Sequence, residues 1–352
     1  MSTLKVDTLQ HRDGTDYILS ERNKLINGDF SVAQRGTSLT STDSANNDAK
    51  YTLDRWQLFS DGNDVVDVSQ ETTTVPTNQL YAIALDVETA NKKFGIAQKI
   101  EQKNCVDLIG QEVTLSFKAK VSATTNLDNV KCAIIAWDGT ADSLTDDMIS
   151  AWGAEGTDPT LATNYTYENT PANLNLTTSY ATYTTTATID TSGAKNVVVF
   201  IWSDVTTTSA GEFLYITDVQ LEKSPSPSTF ERKSYGKQLA DCQRYYEHIP
   251  MGRRDVPGGI VINANGAFRC PPIPFKVTKR TLATMSQLIS WTWSYYNGST
   301  VNTTSTGFEA NSFGFAVGGT ASGRTTYQGL MGGGTHMGSD STSYTAVADA
   351  EL

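Results

Sequence analysis

The sequence predicts an all-β protein: a jelly-roll sandwich, then a short helix, then a second small C-terminal β-sandwich. Three observations predict it. Thr, Tyr and Val recur in short runs bounded by Gly, Asn, Asp and Pro, the composition of pleated, half-buried strands. Val113, Leu115, Phe117, Ala119 and Val121 alternate with Thr114, Ser116, Lys118 and Lys120, which puts apolar and polar residues on opposite faces of one strand. Between Asn23 and Glu222 no segment of any length carries a helical period, so roughly 200 residues of strand-like runs point to a sandwich, most simply a jelly roll.

In chain order, residues 1–22 carry Leu4, Val6 and Thr8, then Tyr17, Ile18 and Leu19, around an Asp13-Gly14 turn signal. Such a hairpin is too short to hold itself together and is expected to dock on another body. Residues 23–222 form the predicted jelly roll, with strands over Phe94–Ile100, Val113–Val121, Cys132–Trp137, Ala181–Ile189 and Asn196–Trp202. Trp56 reads as core, with Asp54 and Arg55 as its polar rim. The polar stretch Asp138–Thr177, which holds Trp152 and Tyr165–Tyr167, resembles an inserted loop, and long loops carry function more often than framework does.

Ile216–Glu222 reads as a last strand, with Val219 and Leu221 alternating against Asp218, Gln220 and Glu222. Pro225 and Pro227 end it, because proline donates no ladder hydrogen bond. Residues 223–248 are then a semi-rigid hinge and a helix. Tyr235, Leu239, Cys242 and Tyr246 fall on one helical face, with Ser234 placed to cap and Lys237 and Asp241 four apart on another face. A helix this short must bury its stripe against a domain or against symmetry-related copies, so these four residues are the candidate oligomer interface. Residues 249–352 form the second β-unit. In it Gly258–Phe268 reads as a hairpin turning at Asn265-Gly266, the prolines 271, 272 and 274 mark an edge, and Phe313, Phe315 and Val317 fall in phase.

The chain has 352 residues and a formal net charge of −11, which argues against a phosphate-tracking nucleic-acid surface. No apolar run is long enough to span a membrane, and the first residues lack the apolar core of a signal peptide. The four cysteines, Cys105, Cys132, Cys242 and Cys270, have no metal-ligand spacing and read as buried small apolar side chains. Catalysis finds little support. The three histidines, His11, His248 and His336, lie in no nucleophile or metal motif, and no G-x-S-x-G, H-E-x-x-H or P-loop is present. Paired carboxylates suited to glycoside cleavage are set by geometry, and spacing alone does not show them. Sugar binding needs an aromatic plate for the apolar face of a pyranose and polar groups for its hydroxyls. Trp291, Trp293 and Tyr295 alternate along one predicted strand and Tyr296 follows, which makes these four the candidate ligand-binding residues or, equally, the core of an intermolecular interface.

Three segments resemble tailed-bacteriophage fibre and tail proteins: Asn23–Gly36 with Tyr51–Trp56, Asp218–Tyr246 with its Q-L-E and C-Q-R-Y-Y runs, and Thr345–Leu352. The N-G-D-F opening and D-V-Q-L-E closing are similar to the first and last strands of galactose-binding-like carbohydrate-binding modules. The resemblance implies a structural virion protein, a tail fibre or appendage, made in the host cytoplasm and released by lysis. It would be bound to other virion proteins through its N-terminal segment and to a host-surface glycan, without catalysis, nucleic acid or membrane insertion. It also implies a homotrimer and a structural calcium ion held by Gly28, Asp29 and Asp218, although Ser31 stands where the pattern often has an acid. A capsid-decoration or spacer protein and a polysaccharide depolymerase are the alternative functions.

Overall fold

The computed structural model describes residues 21–40, 46–251, 259–261, 267–287, 293–295, 300–301, 303–321, 329–332 and 344–352. The expected hairpin of the first twenty residues lies outside them. The chain divides into two compact units. Unit 1 takes the chain up to Ser31 and again from Ser38 to Ser234, and unit 2 takes Val32–Thr37 and Tyr235–Leu352.

The strands of unit 1 are β1 Ser38–Leu39, β2 Lys50–Tyr51, β3 Gln57–Ser60, β4 Val66–Glu71, β5 Ala82–Val87, β6 Phe94–Ile100, β7 Glu112–Val121, β8 Val130–Trp137, β9 Ile149–Ala151, β10 Thr160–Leu161, β11 Tyr165–Tyr167, β12 Ala181–Thr188, β13 Asn196–Ser203 and β14 Phe213–Glu222. They build a jelly-roll sandwich from two six-stranded sheets, ordered β1-β4-β5-β14-β7-β12 and β11-β8-β13-β6-β3-β2, while β9 and β10 form a separate hairpin. The apolar face read from β7 is kept, since Val113, Leu115, Phe117, Ala119 and Val121 are all buried, but of the opposite face only Lys118 and Lys120 are half-exposed while Thr114 and Ser116 are buried too. Full burial of each larger side chain of this kind contributes about 1.5–3 kcal/mol. The second sheet departs from the one-sided pattern, since every residue of β6, β8 and β13 is buried. Both of its faces are covered.

The N-G-D-F and D-R-W stretches lock the sandwich. Asn27 and Phe30 take left-handed φ values of 59° and 55°. Asn27 donates from Nδ2 to the Asp54 carbonyl (3.0 Å) and accepts from the Trp56 indole nitrogen (2.9 Å), while the Phe30 and Trp56 rings pack 5.2 Å apart. Asp54 and Arg55 are not a solvated rim. They are 0% and 1% exposed, because Arg55 turns inward to donate to the Lys99 carbonyl at 2.7 Å.

Unit 1 holds a single-turn helix, α1, at Gln102–Cys105, and after Val32–Thr37 unit 2 resumes with the helix α2, Tyr235–Gln243. The Lys237–Asp241 pair forms at 3.5 Å. Its strands are β15 Tyr246–Met251, β16 Gly259–Val261, β17 Ala267–Arg269, β18 Ile273–Pro274, β19 Thr284–Gln287, β20 Trp293–Tyr295, β21 Thr300–Val301, β22 Thr303–Ala310, β23 Gly314–Ala321, β24 Gly329–Gly332 and β25 Tyr344–Asp349. One sheet runs β15-β25-β19, so β25 is its centre. The other runs β18-β23-β17-β16-β24-β20-β21, with β22 also on β23. The proline-bearing β18 is an edge, as expected of a strand short of donors. Phe315 and Val317 are buried, whereas Phe313, ahead of the strand, is 68% exposed. Ile249, Cys270, Phe275, Phe315, Val317, Ala346 and Ala348 make the core. Beside it Lys279 and Glu247, both fully buried, pair at 2.5 Å. Burial pulls the Lys279 ammonium below its usual range, against the opposing pull of Glu247.

The helical reading extended too far. α2 stops at Gln243, and Tyr246 and His248 belong to β15, because their backbone pairs with Asp349 and Val347 of β25. All four cysteines are free and buried. No helix among the described residues is long and apolar enough to cross a membrane.

Candidate functional site

The most chemically varied face lies on the outer side of the first sheet of unit 1. Register sets it: Tyr215 of β14 stands opposite Ala84 of β5 and Lys120 of β7, and Phe213 opposite Asp86. Because strand side chains alternate, Phe213, Tyr215, Lys120 and Asp86 share one face. The Phe213 and Tyr215 rings stack with centroids 5.5 Å apart and planes 8° from parallel. Phe213 is fixed at the strand start by its amide, which donates to Ser122 Oγ at 2.8 Å.

Tyr180, one residue before β12, completes the group. The Lys120 ammonium lies 5.9 Å from the Tyr180 ring and 5.5 Å from the Tyr215 ring, within cation–π range of both. The Tyr180 hydroxyl donates to the Thr74 carbonyl at 2.8 Å. That carbonyl is held by a turn in which Glu71 Oε1 accepts from the amides of Thr73 and Thr74, the latter at 2.7 Å. Phe213, Tyr180, Lys120, Glu71 and Asp86 are all half-buried, so rings and charges are both presented. Burial, then the neighbouring Glu88 and Asp67, push the Asp86 carboxyl up to about 6. Burial also raises the Tyr180 and Tyr215 hydroxyls. The arrangement offers flat apolar plates beside a cation and carboxyl groups. Sequence reading missed this face, although the i, i+2 spacing of Phe213 and Tyr215 opposite Lys120 was its signal.

The outer face of the second sheet is also aromatic, with Trp137, Phe200 and Trp202 on it, but the inserted stretch closes over it. Lys93 Nζ donates to the carbonyls of Ala154 (2.8 Å) and Thr157 (3.1 Å), and Lys99 Nζ to those of Thr145 and Asp146 (2.9 Å each). Trp152 packs on Phe200 at 6.1 Å and Tyr165 on Trp137 at 4.7 Å. Asp204, fully buried, pairs with Lys93 and with Lys131 (2.9 Å) and accepts from the Gly156 amide (3.0 Å). Burial draws Lys99 down to about 8. The expectation that Trp152 and Tyr165 display themselves on a binding loop is therefore corrected, since both are buried as the underside of a cover.

Each of the three residues expected to hold calcium makes a contact within the chain. The Gly28 carbonyl accepts from the Val219 amide at 2.9 Å, and Asp29 Oδ1 accepts from Ser31 Oγ at 2.9 Å. Asp218, at a bulge in β14 with φ 53°, pairs through Oδ2 with Lys118 at 2.9 Å and takes the Gln79 amide. The Lys118 ammonium brings positive charge to Oδ2, while Asp218 Oδ1 is buried without a hydrogen-bond partner. Among the described residues no group of three or more His, Cys, Asp or Glu side chains is placed to hold a metal.

Of the expected interface residues, Tyr235 is 61% exposed and Leu239 is half-buried, but Cys242 (0%) and Tyr246 (8%) are buried within unit 2. Those two cannot face another copy. Trp293 and Tyr295 lie in β20, paired with β21 and β24. Trp291 and Tyr296 lie outside the described residues.

No family model and no curated protein matches the chain. Similar solved structures include the enzymatically active domain of tailspike protein 4 from bacteriophage CBA120, at 16% identity and TM-score 0.35, covering 59% of this chain and 22% of that one. The chain thus spans under a quarter of that tailspike. The CBM22-1 xylan-binding domain from Paenibacillus barcinonensis is 11% identical with TM-score 0.30, covering 54% of this chain and 94% of that one. A CBM4 structure is 16% identical with TM-score 0.33, covering 56% and 98%. The neighbours are thus carbohydrate-binding-module-like β-sandwiches and a phage tailspike domain.

Proposed function

We propose that this chain is a non-catalytic appendage or tail-fibre protein of a phage virion that attaches to the host surface by binding glycan. The observation that carries the reading is the platform of half-buried Phe213 and Tyr180, backed by the buried Tyr215, around Lys120, with Glu71 and Asp86 beside it. Pyranose rings present an apolar face and a polar edge, and flat rings flanked by charged groups match both. The fibre-protein resemblance of the N-G-D-F, C-Q-R-Y-Y and A-D-A-E-L stretches supports the virion setting. Trp291, Trp293, Tyr295 and Tyr296 are proposed as a second contact. Single glycan contacts are weak, and several copies acting together, in a homotrimer with Tyr235 and Leu239 facing neighbouring copies, turn them into firm adsorption.

Purified protein mixed with host cells and host polysaccharide tests this. Adsorption without reducing ends is the expected result. No adsorption favours a spacer protein and reducing ends a depolymerase, and either would overturn the proposal. Tyr180→Ala with Phe213→Ala is expected to weaken glycan binding about tenfold, which is ~1.4 kcal/mol, with the thermal transition little changed.

A further inference from the structure

Parts of the three stretches that carry the family resemblance, Val32–Gly36, Tyr235–Tyr246 and Thr345–Leu352, belong to unit 2. Val32–Thr37 belongs to that unit although it is encoded within the jelly roll's opening stretch. Gln34 lays its side-chain amide along β15, an edge strand: Nε2 donates to the Tyr246 carbonyl at 2.8 Å and Oε1 accepts from the His248 amide at 3.4 Å. These are the carbonyl and amide, two residues apart, that a partner strand would use, so one side chain takes the place of a strand residue. Next to it the Arg35 guanidinium lies 3.6 Å from the Tyr246 ring centroid and reaches Glu351 (3.3 Å) and Asp349 (3.5 Å). The Arg35 and Glu351 side chains are 9% and 5% exposed, so this pair is shielded from water. Arg280 holds the carboxylate-bearing run in place, donating from Nε to the Ala350 carbonyl (3.0 Å) and from Nη2 to that of Glu351 (2.8 Å). A planar guanidinium can stack on a ring and pair with two carboxylates at once, which an ammonium cannot.

We propose that β15 and β25 form a peptide-binding site for a tight turn carrying adjacent Gln and Arg at its centre, as in Ala33–Gly36, where the Gly36 amide donates to the Ala33 carbonyl at 3.3 Å. Its occupant is this chain's own Val32–Thr37, and unit 2 is a complete domain only with that strap in place. The site is independent of glycan binding. In the full-length chain, Gln34→Ala with Arg35→Ala vacates it. A fluorescent synthetic peptide of residues 28–40 is then expected to bind the variant at about micromolar Kd and the wild type at least about tenfold more weakly, and the same peptide with alanine in place of Arg35 is expected not to bind. Binding to neither protein, or to both alike, overturns the proposal. A second measurement covers failure of the vacated variant to fold. Arg35→Glu alone in the full chain should raise protease cleavage within unit 2 about tenfold, and adding Glu351→Arg should restore resistance. Wild-type resistance in the single variant, or no rescue in the pair, also overturns it.

Discussion

At Gly28 an added Cβ would lie 2.1 Å from the Val219 carbonyl oxygen, closer than any real contact. The Gly28 carbonyl meanwhile takes the Val219 amide, so the opening and closing stretches of the jelly roll touch backbone to backbone there. Gly28→Ala is therefore expected to cost about 3 kcal/mol or more, measured by urea denaturation. Asp86 supplies a pH test at the same scale. Its carboxyl is raised from 3.8 to about 6 in the folded chain, so between those values the folded state holds more proton than the unfolded one. Stability then falls as pH rises through that window and stays lowered above it. Asp86→Asn should flatten this slope and raise the midpoint at pH 8 by about 2 °C, with little difference at pH 4. Residue-scale chemistry was only partly legible in the sequence. Trp56 was readable as core, but the inward turn of Arg55 depends on the Lys99 carbonyl, which lies 44 residues away in the chain.

At the scale of elements, the segment between β8 and β11 converts an aromatic sheet face into a second interior. Asp204 pairs with both Lys93 and Lys131 beneath it, and Asp158 supplies Lys131 with a second carboxylate. Asp204→Ala would leave the buried Lys93 ammonium without its carboxylate, while Lys131 keeps Asp158 at 2.8 Å, an expected loss of about 3–5 kcal/mol, measured by chemical denaturation of the full chain. In the sequence this segment looked like a loop because it is polar and lacks alternation. Its own carbonyls accept hydrogen bonds from Lys93 and Lys99, and no local pattern records that. The helix boundary failed for a similar reason. The four-three-four spacing through Tyr246 is a valid helical period, but β25 claims the backbone of Tyr246 for a ladder.

For the whole molecule, β25 is the middle strand of its sheet although its neighbours β15 and β19 both precede it in the chain. A chain ending at residue 343 should lose the unit 2 transition in calorimetry while keeping that of the jelly roll, because edge strands cannot pair across the gap left by a missing centre. Assembly is tested at this scale too. If copies meet through the exposed side of α2, Leu239→Asp should give soluble protein that no longer sediments as a trimer.

The sequence by itself determined the all-β class, the sandwich, the existence of a helix near 235 and the burial of the cysteines, because each follows from local period or composition. Only the tertiary structure decided which aromatic face is covered and which is presented, that Asp218 meets a lysine, and that Gln34 and Arg35 close a unit encoded two hundred residues later. Those outcomes depend on which strands lie side by side, and pairing between distant segments leaves no periodic trace in either of them.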